Sequence, residues 1–429
     1  MKVVVIGAGI GGLGAAYYFQ RRGHTVEVLE ASDRVGGRAL THRRPGTEDR
    51  VDAGTQYYHS NYRRARALIE VVGLAGQLRK IKGYTRIYDE RAAGASFRFN
   101  RALPWYRSAG IVGNLRLGAV LGRALICDRM DPFALINAPA GDDAAAMETY
   151  SAPVVHRCVI NPLAEAGALS GAAAMGMSVH HLHRLIHIIL NTAYLSLDGG
   201  TDSLHKTLAA QLAVHLDTPV SRLAADGDQI HGVIVSGSGR IVSADHVVLA
   251  TAPQQTASLL PPSWLAEREF LEGIVTPGFT LPVFFLDRPL EKNVWSYMLP
   301  PDDTRIVSYL TDAAQKNPAM VPSGKAAIQP WVCYPHSTRL VQMPDDAVVD
   351  LCLSELGDLF PGFPNWVENV HVTRHACGVP FHRPGHAERA SEFLRAIRAR
   401  GVSVCGDYLS GGYMESALWS AEDAVRIAG

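Results

Sequence analysis

The sequence lacks an excess of charge of either sign. Lysine plus arginine and aspartate plus glutamate each number 41 among the 429 residues, so the formal net charge is zero. A nucleic-acid-binding domain is typically basic, because its affinity depends on contacts with phosphates. We therefore expect no nucleic-acid partner.

Long apolar runs and paired cysteines are also missing. A transmembrane helix needs about 20 apolar residues, but the nearest candidate, residues 108–126, contains Arg116 and Arg123 and predicts an amphipathic helix. The six cysteines are scattered and form no CxxC pair, which is typical of a protein in a reducing compartment. The first predicted strand begins too early for a signal peptide to precede it. These features predict a cytoplasmic protein without a transmembrane segment.

The N-terminal residues 2–38 contain the most informative pattern. A short apolar strand, Val3 to Ile6, is followed by the motif G-x-G-x-x-G and a predicted helix. The motif is formed by Gly7, Gly9 and Gly12. Such glycines permit a tight turn, the approach of a pyrophosphate, and close packing of helix on strand. Glu30 ends the second predicted strand, at about the 20-residue separation expected for a carboxylate that binds ribose hydroxyls.

This first motif leaves NAD, NADP and FAD open as cofactors, and the next residues distinguish them. The segment from Glu30 to Arg38 ends in R-x-G-G-R. It resembles the second fingerprint of FAD enzymes in the superfamily of amine oxidases, protoporphyrinogen oxidases and phytoene desaturases. Paired glycines allow close backbone approach, and Arg38 can bind a phosphate through two hydrogen bonds. The resemblance therefore implies FAD.

Later segments resemble the same superfamily. Residues 51–59 match the stretch that passes the flavin and enters the substrate cavity, which makes Tyr57 and His59 candidate cavity residues. An aromatic strand packed in a core is an equally good interpretation of these residues. Asp198 to Leu204 resembles a GGxxxL element that opens a helix, which we expect to reach His215.

The C-terminal residues resemble segments that return to the flavin. Residues 374–385 match a stretch that re-enters the flavin site, and residues 411–417 resemble the GYMEGA motif of amine oxidases. There the backbone N–H groups at a helix start face the pyrimidine end of the flavin. The resemblance places the following residues at the cofactor: Gly7, Ala8, Gly9, Gly11, Gly12, Glu30, Ala31, Arg34, Gly36, Gly37, Arg38, Gly54, Thr55, Val220, Gly406, Asp407, Gly412, Tyr413 and Met414.

The fold implied is α/β, with a Rossmann-like FAD-binding domain of the GR2 type and a mixed α+β substrate domain. The FAD-binding domain is discontinuous and comprises residues 1–75, 195–260 and 376–429. The substrate domain comprises residues 76–194, largely helical, and 261–375. Turns are expected in it at Asp89-Glu90, at the joint 138–146 and at Pro300-Pro301.

The sequence departs from the amine oxidase pattern at two positions. Many amine oxidases carry a lysine that holds a water near the flavin, and by spacing this position falls at Leu281. Tyr413 matches one tyrosine of the aromatic cage, but the other position falls at Gly378. Its neighbour Cys377 has the spacing at which some amine oxidases attach the flavin through a thioether; a buried structural cysteine is the alternative that we favour. We therefore expect non-covalent FAD.

A metal site is not expected. His183 and His187 are four residues apart on a predicted helix, but the glutamate of HExxH is absent and no thiolate is nearby in the sequence. The candidate catalytic residues, proposed as walls of the substrate cavity, are Tyr413, His382 and Tyr57.

Three functions remain open at this stage. The first is an FAD-dependent oxidase or dehydrogenase that removes a hydride from a C–N or C–C unit of a bulky, largely apolar small molecule. It would pass electrons to O2 or another acceptor, and a homodimer is one possible assembly. The second is a non-redox isomerase or mutase that uses reduced FAD, and the third is a flavin-binding scaffold without turnover.

Overall fold

The structure is a computed structural model. It describes residues 1–89, 92–97, 106, 109–127, 131–137, 143–170, 176–190, 192–227, 229–299, 305–322 and 324–428. The expected turn at Pro300-Pro301 lies outside the described residues, as do Glu90 of the expected turn at Asp89-Glu90 and residues 138–142 of the expected joint.

A parallel sheet contains the N-terminal strand at its centre. Its strands follow the order Ala213–His215, Thr25–Leu29, Lys2–Ile6, His246–Leu249 and Val402–Val404. Residues Val3 to Ile6 are β-branched and buried, as expected for a strand covered on both faces. Helix Ile10–Arg21 packs on this sheet and on the C-terminal helix, where Gly14 makes room for Leu418.

A second, seven-stranded sheet is mostly antiparallel and unites distant parts of the chain. Its strands follow the order Val367–His375, Phe279–Leu286, Ala326–Val332, Val307–Asp312, Val294–Met298, Tyr84–Asp89 and Ala92–Phe97. Two segments predicted to form the substrate domain, 76–194 and 261–375, therefore contribute to one sheet. The domain boundaries stay a prediction.

Three smaller sheets complete the strands of the described residues. They contain Val220–Asp226, Gln229–Val235 and Ile241–Ser243; Thr41–Arg43 and Arg50–Asp52; and Tyr58–His59, Tyr194–Leu197 and Leu78–Lys80. In the last of these sheets, strand Tyr58–His59, at the end of the predicted flavin-passing stretch, pairs with strand Tyr194–Leu197, which follows the helical segment.

Helices pack on both faces of the parallel sheet and on both faces of the seven-stranded sheet. The α-helices are Ile10–Arg21, Arg63–Val71, Gly110–Cys127, Ala146–Thr149, Pro153–Val155, Asn161–Ala168, Val179–Leu190, Asp202–Ala209, Pro253–Leu259, Leu265–Glu272, Ala313–Lys316, His336–Leu340, Asp345–Leu359, His386–Ala399 and Met414–Ala428. The 3-10 helices are Ala75–Gln77, Leu135–Asn137, Phe363–Trp366 and Asp407–Leu409, and His156–Ile160 is a π-helix. Within the described ranges, no helix is long and apolar enough to cross a membrane.

Candidate active site

The first glycine motif forms a cradle at the start of helix Ile10–Arg21. Gly7 has a φ of +101°, and a Cβ there would lie 2.8 Å from the carbonyl oxygen of Ala250. A Cβ at Gly12 would overlap the carbonyl oxygen of Gly7, whereas a Cβ at Gly9 would meet no atom within 4 Å. Folding therefore requires the first and third glycines. The second keeps space open in front of the helix N-terminus, where a diphosphate would accept N–H hydrogen bonds.

Glu30 is held beside this cradle. One carboxylate oxygen accepts a hydrogen bond from the N–H of Ala8 at 2.7 Å, and the other accepts from the N–H and hydroxyl of Ser32 at 3.0 and 2.8 Å. The N–H of Thr218 donates to the backbone oxygen of Glu30 at 2.8 Å, which brings Val220 to the same edge of the sheet. The exposed Ala31 follows directly. This arrangement fits a ribose and an adenine on neighbouring sides of Glu30.

The second glycine motif folds back onto the first. A guanidinium nitrogen of Arg34 donates to the carbonyl oxygen of Gly37 at 2.9 Å. Gly36 and Gly37 have φ of +113° and +55°, and a Cβ at Gly37 would lie 3.6 Å from the Cα of Gly9. Gly11 instead faces the C-terminal helix, since a Cβ there would lie 3.7 Å from that of Ala417.

Arg38 joins four segments that are far apart in the sequence. Its guanidinium pairs with the buried carboxylate of Asp407 at 2.7 Å and donates to the carbonyl oxygen of Gly378 at 2.8 Å. The N–H of Thr55 donates to the carbonyl oxygen of Arg38 at 3.0 Å, and a Cβ at Gly54 would overlap that oxygen. Residues that the resemblance assigns separately to the cofactor thus meet at one point.

The C-terminal helix, Met414–Ala428, begins next to this meeting point. The carbonyl oxygen of Asp407 accepts the N–H groups of Gly411 and Gly412 at 3.0 Å each. Gly412 has a φ of +77°, and Gly406 donates its N–H to the hydroxyl of Ser420 at 2.9 Å. This turn places Asp407, the partner of Arg38, shortly before the helix begins; that the helix N-terminus faces the flavin stays a prediction.

An aromatic cluster brings two of the three candidate catalytic residues together. We define it as Tyr57, His59, Tyr62, Tyr194, Trp295 and Tyr413. The ring of His59 lies 5.3 Å from that of Tyr57 and 5.9 Å from that of Tyr413, between centroids. Tyr57 also contacts Tyr194 at 4.5 Å and Trp295 at 5.8 Å.

The cluster is electrically neutral. Burial raises the pKa of Tyr57 to about 12 and lowers the pKa of His59 to about 3, because the charged forms would lose their hydration. Burial also raises the pKa of Tyr413 above its usual range. The rings therefore offer apolar faces and a few polar atoms, and no charge for a substrate.

Leu281 and Gly378, the two positions that depart from the amine oxidase pattern, are both closely packed. Leu281 is fully buried and belongs to a hydrophobic core that also contains Phe279 and Trp331. A Cβ at Gly378 would overlap the carbonyl oxygen of Pro277, so this position has no room for a side chain. Position 281 therefore supplies no ammonium group, and position 378 supplies no aromatic ring.

His382 lies in a separate group of histidines. Its Nδ1 is 3.1 Å from Nδ1 of His181, and its ring stacks on that of His386 with centroids 4.0 Å apart. The backbone oxygen of Tyr408 accepts from Nε2 of both His382 and His386. These contacts favour a structural role for His382, whose place in the cavity stays a prediction.

Cys377 is partly buried beside Gly378. Burial raises the pKa of its thiol, although Arg38 acts in the opposite direction. The thiol is therefore protonated at neutral pH and a poor nucleophile.

Sequence reasoning missed a buried ion pair at the flavin-passing stretch. Lys316 and Asp52 have side chains with no exposure and lie 2.9 Å apart. The ammonium also donates to the backbone and side-chain oxygens of Gln56 at 3.0 and 3.2 Å. No local motif surrounds Lys316, so the sequence carries no signal for this pairing.

The glycine motif at residues 7–12 and the R-x-G-G-R motif that folds onto it are the two fingerprints of an FAD-dependent oxidoreductase. The profile of the family described as flavin containing amine oxidoreductase matches residues 10–428, and the chain belongs to this family. The predicted α/β fold, the FAD cofactor and the prediction of an FAD-dependent oxidase or dehydrogenase are thereby confirmed. The non-redox alternative gains no support.

Individual relatives differ in their described substrates. The chain is 29% identical to the flavin-dependent L-tryptophan oxidase RebO of Lentzea aerocolonigenes over 286 residues, which cover 59% of this chain and 58% of that protein. It is 25% identical to the coproporphyrinogen III oxidase of Propionibacterium freudenreichii subsp. freudenreichii, over 91% of this chain and 83% of that protein. The structure of cyclohexylamine oxidase from Brevibacterium oxydans IH-35A matches with a TM-score of 0.75 and 21% identity, over 100% of this chain and 98% of that one, which shows the fold alone.

Proposed function

We propose that this enzyme removes a hydride from a C–N or C–C unit of a bulky, largely apolar small molecule. Bound FAD would accept the hydride and then pass the electrons to O2 or another acceptor. The observation that supports this most directly is the neutral aromatic cluster between the flavin-passing stretch and the start of the C-terminal helix.

The surroundings of Gly378 and Leu281 support a bulky substrate. Gly378 supplies no second ring of an amine oxidase cage, and we expect the substrate space to be wider on that side. Leu281 replaces an ammonium with an apolar side chain. A cyclic, largely apolar molecule fits such walls better than a small primary amine.

The contribution of the chain to the reaction would be positional. Aromatic rings can hold the reacting C–H in place and exclude water. Arg38 and the helix N-termini at Ile10 and Met414 would hold the phosphates and the pyrimidine end of the flavin. Because Tyr57, His59 and Tyr413 are neutral, we assign no charged general base.

The test compares flavin reduction by small and bulky substrates. An oxygen-consumption screen of amines, porphyrinogens and polyenes first finds a substrate, and stopped-flow absorbance then measures the rate of reduction. Tyr413→Ala should retain FAD and slow reduction on the order of 100-fold, because it removes a wall that positions the substrate. Tyr413→Phe keeps the ring and is the matched control. Fast reduction by benzylamine-sized substrates, with no response to Tyr413→Ala, would contradict the proposal.

A further inference from the structure

We propose that His59 provides a hydrogen-bonding subsite within the aromatic cluster, which selects substrates carrying one uncharged hydroxyl or amino group on an apolar frame. The inference rests on the proposed use of the aromatic cluster as the wall of the substrate site. It adds a polar requirement to a proposed substrate site with largely apolar walls.

The first argument is an unsatisfied atom. His59 is only 2% exposed, and its Nδ1 has no hydrogen-bond partner among the residues that the structure describes. Buried polar side-chain atoms in folded proteins nearly always have a partner. An atom without one in the protein is therefore a candidate for a contact with a ligand.

The second argument is the position of the His59 ring within the aromatic cluster. Nε2 of His180 and of His181 also lack partners in the described chain, but both histidines lie on the helix Val179–Leu190, outside the aromatic cluster. The His59 ring contacts four rings of the cluster, with centroid distances between 5.0 and 5.9 Å. These rings are Tyr57, Tyr62, Tyr194 and Tyr413.

The third argument is rigidity. The backbone of His59 pairs with Tyr194 in a small sheet, and its carbonyl oxygen accepts the N–H of Tyr62 at 3.0 Å. Both neighbours also contact the imidazole ring. The imidazole is thus held from two sides, as a preorganised recognition group should be.

The charge of His59 decides the class of ligand. Burial lowers the pKa of His59 to about 3, so the imidazole is neutral at physiological pH. A neutral imidazole has one donor and one acceptor nitrogen. Hydroxyl and uncharged amino groups can both donate and accept, so they satisfy Nδ1 in either tautomer. A carboxylate would instead favour a cationic partner such as arginine.

The test uses binding, so it does not depend on turnover. Benzyl alcohol and toluene have the same ring and differ in one hydroxyl. Each is titrated into the oxidised holoenzyme, and Kd is obtained from the change in flavin absorbance. His59→Phe should reduce the preference for benzyl alcohol over toluene about 10- to 100-fold relative to wild type, because a hydrogen bond to a buried group is lost. His42→Phe is the matched control, since His42 stacks on His371 outside the cluster, and it should keep the preference.

Several outcomes separate this inference from the proposed function. An unchanged preference in His59→Phe would overturn the subsite, and so would an altered flavin spectrum of His59→Phe without any ligand, because Nδ1 would then contact the flavin. If His59→Phe does not fold, His59→Gln replaces it; its amide lies at the end of the side chain and not at the position of Nδ1, so the preference should still fall, and an unchanged preference would overturn the subsite. A preference that depends on His59, together with failure of every tested substrate to reduce the flavin, would support the subsite and contradict the proposed function.

Discussion

Removal of one partner of the buried pair of Lys316 and Asp52 should strongly destabilise the protein. The ammonium donates three hydrogen bonds, one to Asp52 and two to Gln56. The other carboxylate oxygen of Asp52 accepts from the hydroxyl of Thr41 and from the N–H and hydroxyl of Thr201. Lys316→Met would leave a buried carboxylate and two oxygens of Gln56 without their partner.

The size of the effect can be estimated from the burial of both groups. Removing one partner of a buried ion pair costs about 3–5 kcal/mol. Unfolding entropy of about 2.1 cal/mol/K per residue, over 429 residues, gives about 0.9 kcal/mol/K. Lys316→Met should therefore lower the thermal midpoint by about 3–6 °C. Asp52→Asn combined with Lys316→Met should lose less than the sum of the single changes, since the double variant leaves no unpaired charge whereas each single variant leaves one.

The assay is the thermal midpoint of the holoenzyme by calorimetry, at a fixed excess of FAD because bound cofactor adds stability. Lys325→Met is the matched control. Lys325 pairs with Glu368 at 2.7 Å, but the two side chains are 38% and 30% exposed, so its loss should cost at most about 1 kcal/mol. Equal shifts for Lys316→Met and Lys325→Met would refute the reasoning, and so would additive losses in the double variant.

Three further predictions concern the cofactor and the histidines. Gly9→Val should fold as an apoprotein and bind no FAD, because its side chain fills open space at the helix start; full flavin absorbance after purification would contradict this. Denaturing acid should release the flavin from the chain, whereas flavin that stays on the precipitate and is lost in Cys377→Ala would reverse the prediction. Stability should fall as the pH drops from 6.5 towards 3, because burial lowers the pKa of His181 to about 3 and the unfolded chain then binds more protons. His181→Leu should weaken this dependence of the thermal midpoint on pH, and an unchanged slope would argue against it.

The cofactor side could be predicted because its signals are local. Gly12 is required by its contact with the carbonyl oxygen of Gly7, and Gly7 by its positive φ in the same strand–turn–helix unit, so their spacing in the sequence reports the fold directly. Arg38 needed more, since Asp407 and Gly378 reach it from the far end of the chain. The family resemblance placed Arg38 and Asp407 at the cofactor and Gly378 at the cage position, but it did not predict that Asp407 and Gly378 bind Arg38.

Other features depend on contacts that no sequence pattern records. The helix expected to reach His215 ends at Ala209, and Ala213–His215 becomes an edge strand beside Thr25–Leu29. Tertiary pairing overrides local helix propensity there. The stacking of His382 on His386, and its contact with His181, could not be foreseen either, because the segments meet only in the folded chain.

The departure from the amine oxidase cage is coupled to the way the protein holds Arg38. The carbonyl oxygen of Gly378 accepts a hydrogen bond from the guanidinium of Arg38, and the Cα of Gly378 faces the carbonyl oxygen of Pro277 so closely that no Cβ fits. A ring at this position would therefore displace the peptide that fixes Arg38. At the other departure, a lysine in place of Leu281 would bring a charge into an apolar core that includes Phe279, at a cost that requires a buried partner. The packing around Gly378 and Leu281 thus excludes the second cage ring and the lysine, and under the proposed function the selection of the substrate would fall to the aromatic cluster.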